Sequence, residues 1–145
     1  MNQVCIKKVG DENDLPLPKY STQGSAGLDL MSRICCTIEP GQHKAVPTGI
    51  AISLPQGLEA QIRPRSGLAL SHGITVLNAP GTIDSDYRGE VKVILINHGD
   101  FDFEIIPGMR IAQMVISKYV QVELVEVDNL DETERGEKGF GSTGV

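Results

Sequence analysis

Pro64-Arg65-Ser66-Gly67 sets a guanidinium, a hydroxyl and a glycine in direct succession. Arginine offers a charge-assisted fork to an anion, and Gly67 at the start of a helical turn lets backbone N–H groups approach one closely. On its own the tetrapeptide fits a plain helix cap at least as well, because serine is a common first residue before a helix. A second stretch, Asn78 to Val91 (NAPGTIDSDYRGEV), reads either as a polar hairpin between two strands or as a loop presenting a carboxylate and an aromatic ring to a ligand. Further on, Arg110 and Gln113 flank Ile111 and Ala112. Strict alternation puts Arg110 and Ala112 on one face and Gln113 on the other, and the simplest role for Arg110 is a buried pair with a carboxylate. The last candidate is Gly139-Phe140-Gly141-Ser142-Thr143-Gly144, which strings together backbone N–H groups, hydroxyls and permissive glycines suited to wrapping anionic oxygens. It is not a P-loop, since no lysine follows the glycines and no strand and helix flank them.

These residues must be carried by short strands. Apolar stretches recur between Gly, Pro, Asn and Asp, the pattern of an all-β sandwich or barrel. Gly49 to Pro64 reads as a hairpin: Ile50 and Ile52 alternate, Pro55-Gln56-Gly57 turns, and Leu58, Ala60 and Ile62 alternate against Glu59, Gln61 and Arg63. Val91 to Asn97 is apolar on both faces and should be a central strand. Val120, Val122 and Leu124 alternate, and Val125 and Val127 continue on the other parity, which predicts a strand with a bulge or one that leaves one sheet for another surface. One helix is expected, a turn or two at Ser66 to Ser71 between the breakers Pro64 and Gly73. Cys35 and Cys36 fall in a strand-like stretch and read as small buried residues. From Asp131 the character changes: 15 residues hold four acids, two bases, four glycines and one large apolar residue, Phe140. No core-facing strand or helix is possible there, and composition alone reads it as a disordered tail.

The whole chain, 145 residues and 15.6 kDa, fits a single domain. A formal net charge of −6 argues against sequence-independent nucleic-acid binding, which needs a basic surface. No apolar run approaches the roughly 20 residues that cross a bilayer, and MNQVCIKKVGDEND lacks the apolar centre of a signal peptide. Three cysteines, two of them adjacent, make no disulfide framework, and His43, His72 and His98 are scattered, so no zinc site is read. A cytoplasmic protein without membrane or nucleic-acid partners is expected.

Five segments in this order resemble the five motifs of the homotrimeric deoxyuridine triphosphatases (dUTPases), over nearly the full length from Leu15 to Gly144. They are Ser25-Ala26-Gly27-Leu28-Asp29-Leu30; Pro64-Arg65-Ser66-Gly67-Leu68-Ala69; Asn78 through Gly81-Thr82-Ile83-Asp84-Ser85-Asp86-Tyr87-Arg88-Gly89-Glu90; Arg110-Ile111-Ala112-Gln113-Met114; and Arg135 through Gly139-Phe140-Gly141-Ser142-Thr143-Gly144. The resemblance implies a distorted jelly-roll β-barrel with one short helix over residues 1–130, and a flexible C-terminal arm, 131–145, exchanged in a trimer. It implies hydrolysis of dUTP to dUMP and pyrophosphate, which keeps uracil out of DNA and supplies dUMP for thymidylate synthesis.

By the same resemblance Asp84 is the general base acting on water at the α-phosphorus, with positioning contributing much of the rate because a carboxylate is a modest base. Tyr87 packs under the deoxyribose. Asn78, the backbone of Gly81, Thr82 and Ile83, and the backbone of Lys92 form the uracil pocket, with Phe140 as a lid over the base. Arg65, Ser66, Gly67 and Gln113 hold phosphates from the body; Arg135, Gly141, Ser142 and Thr143 hold them from the arm. Mg²⁺ bridges the phosphates, and Asp29 holds it through water. Fifteen arm residues extend to about 50 Å at roughly 3.3 Å each, enough to reach a neighbour, so each of three shared sites would draw on three subunits. No motif position departs from the family pattern. The chain runs one residue past Gly144, so no further targeting tail is expected. Two rivals share the fold: a dCTP deaminase, for which Glu90 is the nearby candidate carboxylate, and a non-catalytic trimer.

Overall fold

The computed structural model describes residues 3–11 and 14–144. Met1, Asn2, Glu12, Asn13 and Val145, which the readings of the N-terminal segment and the arm include, lie outside the described residues. The described residues form ten strands and one helix: β1 (Cys5–Lys8), β2 (Gly27–Met31), β3 (Cys36–Ile38), β4 (His43–Ser53), β5 (Leu58–Arg63), α1 (Ser66–His72), β6 (Ile74–Val76), β7 (Gly81–Ile83), β8 (Glu90–Asn97), β9 (Phe103–Ile105) and β10 (Arg110–Lys118). Two four-stranded antiparallel sheets, ordered β1-β4-β8-β6 and β2-β10-β5-β7, are joined by the ribbon β3-β9. This all-β arrangement is a jelly roll.

Alternation explains the core. Val91, Val93 and Leu95 of β8, Val46, Ile50 and Ile52 of β4 and Ile74 and Val76 of β6 are buried against Leu30, Ala60, Ile62, Ile83, Ala112 and Met114 of the other sheet. Ile38, Phe103 and Ile105 extend this core from the ribbon. As expected, β8 is central, flanked by β4 and β6. The buried polar residues are satisfied: Thr48 donates its hydroxyl to the Val91 carbonyl at 2.6 Å, and the Asn97 amide bridges the carbonyls of Ile38 and Phe101 at 2.8 and 2.7 Å. Helix α1 occupies the stretch read from its breakers, with Gly73 as its C-cap.

Four local readings change. Gly49 to Pro64 is not a hairpin: β4 and β5 alternate as expected but belong to different sheets, so the turn at Pro55-Gln56-Gly57 carries the chain across the sandwich. Val120 to Leu130 forms no strand, because no neighbour supplies the ladder bonds that a strand needs. Cys35 is exposed and Cys36 half-buried, since β3 is a short strand of the small ribbon rather than of the main core. A bulge in β10 pairs Arg110 with Met31 and Ala112 with Leu30, which turns Arg110 onto the same face as Gln113 and leaves Ile111 and Ala112 both buried.

Candidate active site

The site residues fall into three groups. The first lies on the outer face of the β2-β10-β5 sheet, where Asp29, Gln113 and Arg63 stand side by side across three strands. Past the end of β5 the chain turns at Pro64 into α1, and the Arg65 side chain folds back over the sheet. Its Nε lies 3.3 Å from Asp29 Oδ1, and its Nη1 donates to the Arg110 carbonyl at 3.1 Å. Arg110 Nη1 reaches the other oxygen, Asp29 Oδ2, at 3.5 Å. Arg110 therefore has the expected carboxylate partner, but its side chain is 54% exposed rather than buried. Gln113 donates its amide to the Pro64 carbonyl at 3.0 Å, which fixes the entry to the helix. It lies across Gly27, where a Cβ would come within 2.5 Å of its Oε1.

Arg65 is the N-cap of α1 and makes no side-chain cap bond. Ser66 and Gly67 follow, both exposed. The start of the helix thus carries uncapped backbone N–H groups beside two guanidiniums, an arrangement suited to phosphate oxygens. Nothing stands within 4 Å of where a Gly67 Cβ would be, so that side of the turn is open to a ligand.

The second group surrounds a cavity of about 340 Å³ lined by Ala45, Thr82, Ile83, Asp84, Tyr87, Glu90, Val91, Lys92 and Ile94. Asp84 follows the last residue of β7 and is exposed at its mouth. A turn then brings the Tyr87 N–H to the Asp84 carbonyl at 3.2 Å, and the Tyr87 hydroxyl donates to the Glu90 carbonyl at 3.0 Å. Gly89 permits that fold-back: a Cβ there would stand 2.4 Å from the Tyr87 Oη and 2.6 Å from Cζ. Asn78 packs over Gly81, its Nδ2 lying 3.4 Å from where a Gly81 Cβ would be; neither residue lines the cavity itself.

The backbone of Lys92 lies on a sheet edge that β6 does not cover, for a geometric reason. In an antiparallel ladder the N–H and C=O of one residue point to the same neighbour, and the direction alternates along the strand. The Leu77 N–H donates to the Ile94 carbonyl at 2.8 Å, so Ile94, Lys92 and Glu90 direct their backbone groups to that edge. Strand β6 ends at Val76, opposite Leu95, and does not extend as far as Lys92. The Lys92 side chain is exposed.

Glu90 carries the most altered carboxyl here. Arg33 donates Nε to Glu90 Oε1 at 2.6 Å and Nη2 to Oε2 at 3.3 Å, and the Gly49 N–H donates to Oε1 at 3.1 Å. Bonding to Arg33 holds its pKa below the usual glutamate range, against the opposing effect of burial. Neither Arg33 nor this pairing is visible as a sequence pattern, because the partners are 57 residues apart.

The two groups are far apart on one chain. Asp84 sits beside Glu59 on β5, while Asp29 is level with Arg63 and three strands away. Strand spacing of about 4.8 Å and a rise of about 3.3 Å per residue separate Asp29 and Asp84 by roughly 20 Å. The third group, Arg135, Phe140, Gly141, Ser142 and Thr143, meets neither: Phe140 is fully exposed, and the Arg135 Nε bonds to the nearby Lys138 carbonyl at 2.9 Å. The arm departs after Tyr119, whose N–H donates to the Gly57 carbonyl and whose hydroxyl stands 3.4 Å from Ser85 Oγ.

Among the described residues no group of three His, Cys, Asp or Glu is placed to cage a metal. Asp29 faces two guanidiniums instead. Such a donor set fits a hard cation that arrives on phosphate oxygens and keeps most of its waters, rather than a resident ion. No helix of the described chain is long and apolar enough to cross a membrane.

Comparison with known proteins agrees with this architecture. The dUTPase family model matches residues 13–144. A deoxyuridine 5'-triphosphate nucleotidohydrolase of Orientia tsutsugamushi (strain Ikeda) is 62% identical, with 99% of each chain covered. The protein of the same name from Beijerinckia indica is 54% identical over 98% of this chain and 91% of its own. Among solved structures, a mutant dUTPase of Staphylococcus bacteriophage 80alpha with dUpNHpp superposes with a TM-score of 0.90 at 25% identity, covering both chains completely. A mutant dUTPase from phage phi11 of S. aureus, described as revealing the coordination of a structural Mg(II) ion, has a TM-score of 0.79 over 88% of this chain and 98% of its own; at 21% identity it shows the fold alone. The chain belongs to the dUTPase family.

Proposed function

We propose that the protein hydrolyses dUTP to dUMP and pyrophosphate in a homotrimer with three shared sites, acting in the cytoplasm. The observation that carries this reading is the cavity at Asp84, where a carboxylate, an aromatic ring and an exposed backbone edge converge. Backbone N–H and C=O groups of β7 and of Lys92 have fixed positions and can pair with uracil O4 and N3–H; cytosine presents the reverse pattern. A mismatch of that kind leaves buried polar groups unpaired and discriminates by roughly 10⁴-fold. The Tyr87 ring packs against Gly89 and is tied to the Glu90 carbonyl; in this reading it floors the sugar and excludes a 2′-hydroxyl.

In the reaction, Asp84 accepts a proton from a water as its oxygen bonds to the α-phosphorus. The bond from that phosphorus to the bridging oxygen breaks, and pyrophosphate leaves. Arg65, the N–H groups of Ser66 and Gly67, and Gln113 orient the phosphate chain for in-line attack. Mg²⁺ bound with the nucleotide would supply positive charge to phosphate oxygens, with Asp29 as its protein-side carboxylate through water. Arg135, Gly141, Ser142 and Thr143 add phosphate contacts from the arm, and Phe140 covers the base and excludes water.

The roughly 20 Å between Asp29 and Asp84 supports sharing between subunits: a nucleotide seated at Asp84 of one chain meets the arginine corner of another. The 21 residues that follow Tyr119, up to Phe140, span about 70 Å when extended, ample for the arm to close a third chain's contribution over the site. The deaminase alternative is disfavoured because the Glu90 carboxylate is already engaged by Arg33 and Gly49. Pyrophosphate release measured with dUTP, dCTP, dTTP and UTP tests the reading: turnover of dUTP alone is expected, and no turnover of dUTP overturns it.

A further inference from the structure

Strand β4 pairs regularly with β8 from His43 to Pro47 and again at Ala51, and between these points the ladder is interrupted. Pro47 has no N–H to give, and Gly49 lies within the irregularity. Side chains take over the missing connections. Thr48 Oγ1 donates to the Val91 carbonyl, the Gly49 N–H donates to the Glu90 carboxylate, and Arg33 grips that carboxylate with Nε and Nη2. Arg33 is also tied from behind, because its own N–H donates to the Pro47 carbonyl at 3.0 Å. The Glu90 side chain is 16% exposed and that of Arg33 30%, so the pair is partly withdrawn from water.

The other end of Glu90 faces the nucleoside cavity. Its carbonyl receives the Tyr87 hydroxyl at 3.0 Å, while Gly89 lies directly against the same ring. A hydrogen bond can fix a ring only as firmly as its acceptor is fixed, and here the acceptor residue, paired with Ala51, stands at the edge of the interruption, where the ladder has only just resumed. We propose that Arg33 and Glu90 form a positioning pair that locks the Tyr87 ring and thereby sets discrimination between deoxyribose and ribose. Neither residue touches the reacting phosphorus. Arg33 acts through Glu90, and Glu90 through the Tyr87 hydroxyl.

This inference rests on the reading of Tyr87 as the floor of the sugar site. The test uses the full-length chain and measures kcat and KM for dUTP and for UTP alongside the melting temperature. Arg33→Met should raise KM for dUTP about tenfold with kcat changed less than about threefold, and should lower the dUTP:UTP ratio of kcat/KM about tenfold, as expected when a buried polar contact at a specificity site is loosened. Arg33→Lys, which retains the charge, should recover part of the ratio. Removing one partner leaves a half-buried charge, so the double variant Arg33→Met with Glu90→Leu guards against simple misfolding and should lose the same discrimination. A dUTP:UTP ratio that stays at the wild-type value in all three variants, whatever happens to the melting temperature, overturns the positioning role. A wild-type enzyme that turns over neither nucleotide, or both equally, instead overturns the sugar-site reading on which it rests.

Discussion

Cutting the chain after Leu130 and, separately, after Tyr119 divides the arm into a part expected to do chemistry and a part expected to hold subunits together. From Asp131 to Gly144 every residue is exposed except half-buried Gly139, and no strand or helix forms. Removing 131–145 therefore takes nothing from the core, and the melting temperature should move by no more than about 2 °C. On the proposed function the arm also dehydrates the site and supplies the phosphate contacts of Arg135, Ser142 and Thr143, so dUTP hydrolysis should fall by at least about 100-fold. Between Val120 and Leu130 stand Val120, Val122, Leu124, Val125, Val127 and Leu130, each at least 56% exposed. Six such side chains, half-covered by a neighbouring subunit at about 1 kcal/mol each, stabilise an arm–body contact by roughly 6 kcal/mol before ordering costs. That corresponds to roughly 10⁴-fold in an association constant. Sedimentation velocity at low micromolar concentration should thus find residues 1–130 still trimeric and residues 1–119 dissociated. Monomeric 1–130 would make the last fifteen residues a structural clasp rather than a lid. Trimeric 1–119 would show that the apolar stretch covers nothing.

Three further outcomes are expected. Asp84→Asn should leave nucleotide affinity within a few-fold and cut kcat by about two orders or more, since the base is lost while shape is retained; single-turnover kinetics and equilibrium binding separate the two quantities. Gly89→Ala introduces a Cβ 2.4 Å from the Tyr87 Oη and must displace the ring, so KM for dUTP should rise about tenfold while urea denaturation shifts by less than about 1.5 kcal/mol, the worth of one hydrogen bond. The Glu90 carboxyl titrates below its usual value of 4.5 in the folded protein, chiefly because of its bond to Arg33, with Lys92 adding to the effect. A depressed folded pKa gives stability that is present above the unfolded value and lost as pH falls through the folded one. Glu90→Gln should accordingly flatten the acid limb of a urea-midpoint profile below about pH 4.5, and an acid limb identical to wild type would refute this.

What the sequence could reveal was whatever is encoded locally. Apolar residues on both faces marked β8 as central without knowledge of its neighbours, and two breakers bracketed α1 to within a residue. The Gly49–Pro64 segment had an equally clear alternation, but alternation states only which face is buried; it does not say which strand lies alongside, and β4 and β5 proved to belong to opposite sheets. Val120 to Val127 failed for a related reason, since its pattern is that of a strand whose partner this chain does not supply. At Arg110 a single bulge reversed the parity that strict alternation assigned. The motif residues Asp29, Arg65 and Gln113 proved to share one surface, whereas Arg33 carried no local signal and acquired its place through a contact made across 57 residues of chain.

The arginine corner also explains how an acidic protein can serve a polyanion. With a formal charge of −6, the general field of the chain repels a triphosphate, so binding must be assembled from local charge. Two guanidiniums share the Asp29 carboxylate and Arg63 stands on the same face, which leaves a net charge of about +2 at the corner, too little for a ligand bearing up to four negative ones. Asp29 therefore has two opposed effects: it orients Arg65 and Arg110 and at the same time weakens them as an isolated anion site. Free phosphate or a generic polyanion finds little at the corner alone. Under the proposed function, a nucleotide that brings its own Mg²⁺, engages the backbone edge at Lys92 and recruits Arg135 from an arm would complete the charge complement, and only a ligand with base, sugar and triphosphate at the right separations could do all three at once. Selectivity in such a site comes from requiring weak components to be satisfied together, so strengthening the corner by Asp29→Asn should loosen that requirement, with binding of inorganic triphosphate rising as discrimination for dUTP falls; tighter triphosphate binding with no loss of discrimination would refute it.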